Sequence, residues 1–128
     1  MGGTCLATSR ELAFSMGTIL AEHKGASVVL LDMAAQSGWT DWFVIATAGS
    51  VTHLRGLARH MEDFAATQDF RARGSISIAD EEEWVLLDFG DIVVHLMVER
   101  ARQFYELEKL WFQAPATPIE APLPSLQP

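Results

Sequence analysis

Apolar and polar positions are most clearly ordered between Trp84 and Met97, where the runs WVLLDF and IVVHLM flank Gly90-Asp91. A Gly-Asp pair between two such runs predicts a two-residue hairpin turn with positive φ at the glycine. That register sets Phe89 opposite Ile92, Asp88 opposite Val93, Leu86 opposite His95 and Trp84 opposite Met97. Side chains alternate across a strand. One face therefore carries Val85, Leu87, Phe89, Ile92, Val94 and Leu96, with no polar group among them. That face is core. The other carries Trp84, Leu86, Asp88, Val93, His95 and Met97, and two readings of it stand. In one it is the second, helix-covered face of a buried sheet, with Asp88 and His95 satisfied locally. In the other, part of it is a docking surface where Trp84 is the apolar anchor and Asp88 meets a basic partner.

The remaining pattern supplies the elements around this ribbon. Ser9 is placed to cap a helix reaching about Lys24, with Leu12, Met16, Ile19 and Leu20 at helical spacing and Gly25 as its stop. Residues 26–33 read as a strand buried on both faces, and 40–48 as its antiparallel neighbour after a short turn. Ser50 caps a second helix whose stripe is Val51, Leu54, Leu57, Ala58, Met61, Phe64 and Ala65. Residues 70–78 form a third strand, weakened by Gly74. A third helix runs from Val98 to about Trp111, with Glu108 inside its apolar stripe. The prolines all fall between 115 and 128, which predicts a disordered tail over 113–128, while 1–8 reads as a flexible N-terminus. The domain proper is then 9–112. Its expected fold is α/β, or α+β mixed: a five-stranded mixed sheet flanked by helices.

Charge narrows the function. The chain carries a formal charge of −8 and no cluster of Lys and Arg, so direct sequence-specific binding of nucleic acid is not expected. An acidic protein can still work beside RNA by gripping a basic protein there. Asp80, Glu81, Glu82, Glu83, Asp88 and Asp91 make the surroundings of Trp84 the most acidic region. No apolar run approaches the length of a membrane span. A single cysteine, Cys5, fits a reducing compartment, and the N-terminus lacks the pattern of a secretion signal. A cytoplasmic protein is expected.

Catalytic patterns are sparse. Gly49-Ser50 before a helix could hold phosphate on backbone amides and a hydroxyl, although a plain cap explains it equally well. Asp88 and Asp91 straddle a turn, and no Asp-x-Asp pair exists for metal-assisted nucleotidyl transfer. His53 and His60 lie seven apart, whereas a helical metal site wants four and a third ligand. Neither a metal nor a cofactor is expected. A nucleotide-binding or nucleotidyl-transferring enzyme at Gly49-Ser50 remains the alternative reading.

The blocks TDWFVIATAGSVTHLRGLA, WVLLDFGDIVVHLM and FYELEKLW, held in that order, resemble the Iojap-like ribosomal silencing factor family over residues 10–112. The resemblance implies a nucleotidyltransferase-like fold without catalytic carboxylates, and a translational repressor rather than an enzyme. It implies binding to the large ribosomal subunit through a basic ribosomal protein, number fourteen, which blocks subunit joining when nutrients are scarce. It places the contact on the Trp-bearing strand, at Trp84, Leu86 and Asp88; the hairpin reading adds Asp91, His95 and Met97. Trp42 stands where the family usually has tyrosine, and the Pro-rich tail lies outside the resemblance. A homodimer through the hairpin face, competing with the ribosome, is a third reading.

Overall fold

The structure, a computed structural model, describes residues 8–35, 40–68, 74–77, 83–105 and 114–119. Their elements run α1 (Ser9–Glu22), β1 (Ala26–Asp32), β2 (Trp42–Ala48), α2 (Val51–Thr67), β3 (Gly74–Ser77), β4 (Trp84–Asp88), β5 (Ile92–Val98), α3 (Glu99–Tyr105) and β6 (Ala116–Ile119). The expected Glu108 lies outside the described residues.

The strands form one mixed sheet in the order β3-β4-β5-β2-β1-β6. At its centre β2 and β5 are parallel, in register from Trp42 with Ile92 to Ala48 with Val98. Both strands are apolar almost throughout, which suits a parallel pair covered on each side. β1 joins β2 antiparallel, as expected from the short turn between them. The five expected strands are present, and a sixth joins them. Residues 116–119, expected to lie in a disordered tail, pair antiparallel with β1 from Val28 with Ile119 to Leu31 with Ala116. The Asp32 amide extends that ladder by donating to the Pro115 carbonyl at 2.9 Å. Proline is tolerated here because β6 is an edge strand, where a missing donor costs no internal ladder bond.

Helices cover both faces. Met16 and Leu20 of α1 and Leu54, Leu57 and Met61 of α2 pack against Leu30, Val44, Leu87, Val94 and Leu96. The opposite face gathers Leu31, Met33, Phe43, Ile45, Trp84, Val93 and Met97 under Ala101 of α3 and Ala114.

The start of α1 corrects the expected cap. Thr8, not Ser9, is the N-cap: its hydroxyl accepts from the Glu11 amide at 3.1 Å, and the Glu11 carboxylate accepts from the Thr8 amide at 3.0 Å. This reciprocal box needs an acid three residues on, which Thr8 has and Ser9 lacks. At the other end Lys24, not Gly25, takes the left-handed backbone, at φ 75°. Gly25 is needed for space, since a Cβ there would stand 2.7 Å from the Leu20 carbonyl oxygen. Ser50 caps α2 as expected, accepting from the His53 amide at 3.0 Å.

α3 is tied to the sheet by a buried cation. Arg102 Nη1 donates to the Ser27 carbonyl at 2.6 Å and to the Thr47 hydroxyl at 2.9 Å. Ser27 sits at φ 50° where the β1–β2 register shifts, so its carbonyl is turned out of the ladder toward the guanidinium. Removing the donors leaves the buried Thr47 hydroxyl without this partner and frees the Ser27 carbonyl at the bulge. Arg102→Ala is expected to lower the urea-unfolding free energy by about 2–4 kcal/mol. A change of under ~0.5 kcal/mol, the usual effect of a surface substitution, would show that the contact anchors nothing.

A candidate docking edge at the acidic end of the sheet

The β4–β5 hairpin has the expected register, Trp84 with Met97, Leu86 with His95 and Asp88 with Val93. Gly90 takes φ 91°, and the Asp88 carboxylate closes the turn by accepting from the Gly90 amide at 2.8 Å. Asp88 thus has a local partner, in keeping with the cost of burying a bare carboxylate. The next residue joins the hairpin to the rest of the sheet. The Asp91 carbonyl accepts from the amides of both Asp41 and Trp42 at 3.0 Å, and the Asp41 carbonyl accepts from Met33 at 2.8 Å.

These pairings bring four acidic residues to one end of the sheet. Asp32 lies opposite Trp42, Trp42 opposite Ile92, and Asp88 opposite Val93. Asp32, Asp41, Asp88 and Asp91 therefore share that end, with Asp91 exposed and the others half-buried. Asp32 and Asp41 were not among the expected site residues. Their signal lay in position: one closes a strand, the other opens its antiparallel neighbour, and such ends must meet.

Behind this end the expected Trp-bearing face is largely closed. Trp84 is 7% exposed and His95 4%, and Met97 is fully buried. α3, Phe43 and Ala114 cover them, so the helix-covered reading holds for these three. Leu86 and Asp88 remain half-open, and Asp91 is exposed. The Trp84 indole N–H donates to His95 Nδ1 at 3.2 Å, and the Phe43 ring meets the imidazole edge-on at 4.6 Å. With Nδ1 accepting, the neutral ring carries its proton on Nε2, which has no acceptor among the described residues. Of the acidic run before Trp84, Glu83 pairs with Arg100 of α3, and 80–82 lie outside the described residues.

The alternative phosphate site is already engaged by the protein. The Gly49 amide donates to His53 Nδ1 at 2.9 Å, and the Ser50 hydroxyl holds the His53 amide at 3.0 Å. His53 Nε2 in turn meets the His23 carbonyl at 2.8 Å. His60 stacks on His23 with ring centres 3.7 Å apart, a geometry for ring contact rather than for a shared ion. Among the described residues no trio of His, Cys, Asp or Glu could hold a metal, and no helix is long and apolar enough to cross a membrane.

Comparison with known proteins sets this geometry in a class. The family described as "Ribosomal silencing factor during starvation" matches residues 6–127. The chain is 34% identical over 101 residues to the ribosomal silencing factor of Treponema pallidum, covering 77% of this chain and 88% of that one. It is 29% identical over 96 residues to the mouse protein named for mitochondrial assembly of the ribosomal large subunit, covering 73% of this chain and 42% of that one. A crystal structure of a Chromobacterium violaceum protein superposes with a TM-score of 0.71 at 29% identity, covering 80% of this chain and 82% of that one. The chain belongs to the ribosomal silencing factor family, whose members include the Iojap proteins of plants. The family match, over residues 6–127, spans β6 as well.

Burial gives His95 a pH signature. It pushes the imidazole from 6.5 down to about 4. The unfolded chain therefore takes up this proton first, so the contribution is full above about pH 6.5 and is lost as pH falls toward 4. The loss reaches about 3 kcal/mol at its limit. His95→Leu is expected to reduce the difference in unfolding free energy between about pH 7 and pH 4.5 by about 2 kcal/mol. Equal pH dependence in the two proteins would contradict a buried neutral imidazole.

Proposed function

We propose that this protein represses translation without catalysis, by binding the large ribosomal subunit in the cytoplasm. Its partner there is a basic ribosomal protein, number fourteen, and its bulk blocks joining of the small subunit when nutrients are limiting. Family membership supports the ribosomal role, and the name of the mouse relative agrees with the choice of subunit. The observation that carries the docking site is the acidic sheet end, where half-open Leu86 and Asp88 stand beside exposed Asp91. Leu86 offers apolar burial, while the carboxylates suit lysine or arginine on the partner. Trp84, His95 and Met97 form the packed floor beneath and act by holding the strand in place. The competing nucleotide site at Gly49-Ser50 is disfavoured, because its amide and hydroxyl already serve His53.

The test is co-sedimentation with purified large subunits across a salt series, followed by subunit-joining assays. Asp88→Asn removes charge while keeping the oxygen that closes the turn, and Asp91→Lys reverses an exposed charge. Each is expected to weaken binding roughly tenfold, about 1.4 kcal/mol, and to relieve the block on joining. Leu86→Ala should weaken binding with little change in its salt dependence. No co-sedimentation of the parent at low salt, where charge attraction is strongest, would overturn the proposal. So would undiminished binding by all three variants.

A further inference from the structure

His23, His53 and His60 meet where the end of α1 lies against α2, and the docking edge uses none of them. The junction sits at the far end of β2 from Trp42, where Gly49-Ser50 opens α2. His53 is its bridge. Its Nδ1 accepts from the Gly49 amide at 2.9 Å, and its Nε2 meets the His23 carbonyl at 2.8 Å. His23 is the C-cap of α1, so one imidazole ties the turn before α2 to the last turn of α1. These partners fix the tautomer. Facing an N–H, Nδ1 is bare; facing a carbonyl, Nε2 carries the proton. Only a neutral ring makes both bonds.

We propose that His53 is a proton-operated latch: neutral, it clamps the Gly49 turn and the end of α1 together; charged, it releases the turn and keeps its hold on α1. A proton added at Nδ1 sets two donors against each other and ends the bond to Gly49. The bond to the His23 carbonyl survives and becomes charge-assisted. Helix dipoles act in the same direction, since the start of α2 disfavours a cation and the end of α1 favours one. The latch is therefore closed above the range in which histidines titrate, roughly pH 5–8, and opens as pH falls through it. Two other titratable rings stand at the junction, His23 and His60, stacked with centres 3.7 Å apart. Of the charged groups, Glu22 and Lys24 flank His23, while Arg55, Arg59 and Asp63 lie on α2. Glu99 follows Val98, which pairs with Ala48. All these charged side chains are exposed, so water screens them, whereas the two bonds to His53 act at contact distance. The latch lies away from Leu86, Asp88 and Asp91, and the inference does not depend on the ribosomal reading.

The test is solution NMR on the isotope-labelled full-length chain, titrated from about pH 8 to about pH 5. Gly49 amide protection, taken relative to the unstructured rate at each pH, should fall about fivefold, the loss of one hydrogen bond. Its midpoint should match that of the His53 ring. The Leu54 amide, which donates to the Ser50 carbonyl at 2.9 Å, should keep its protection. His53→Gln retains an acceptor and a donor but does not titrate. It should make Gly49 protection independent of pH, with circular dichroism reporting an intact fold. His60→Gln removes the stack and should leave the Gly49 response in place. Constant Gly49 protection in the parent, a response that survives His53→Gln, or one that disappears with His60→Gln would each overturn the proposal.

Discussion

The parallel ladder between β2 and β5 is the constraint on which the rest of the structure depends. Parallel strands cannot be joined by a tight turn, so the chain must leave β2, cross as α2 and return through β3 and β4 before β5 can pair. That path places the hairpin turn beside the start of β2, where the Asp91 carbonyl takes up the amides of Asp41 and Trp42. One backbone junction thereby fixes the hairpin's height against the sheet and decides which side chains share its end. A shift by one residue would turn every hairpin side chain to the other face.

The same register lets the proposed docking strand hide its tryptophan. The Trp84 indole N–H is paired with His95 Nδ1 within a closed apolar layer, and α3 is pinned over that layer by Arg102. A rigid floor of this sort costs a partner little reorganisation when it meets Leu86 and the carboxylates above it. In the proposed docking the acidic end supplies attraction and orientation, which is what surface charge does best in protein recognition.

Much of this was legible in the sequence, and the misses have specific causes. The hairpin register followed from Gly90-Asp91 and strict alternation, and Ser50 read correctly because a hydroxyl stood between a buried run and a clean stripe. The Thr8 cap was missed by looking for the residue nearest the apolar stripe instead of the reciprocal Thr-x-x-Glu pair. β6 was missed because proline density signals disorder, and only three-dimensional placement reveals that Ile119 has a notch waiting at Gly17. The gathering of Asp32 and Asp41 with Asp88 and Asp91 depends on which strands are neighbours, which no local pattern states. How deeply Trp84 is covered depends on α3 and Ala114, far along the chain.

Hydrogen exchange on the chain bound to purified large subunits tests the central claim most directly. The account predicts new protection concentrated over residues 86–92 and at Asp41, with the start of α2 at Gly49 to His53 exchanging as in the free protein. Protection centred on the α2 start, with residues 86–92 unchanged, would contradict it.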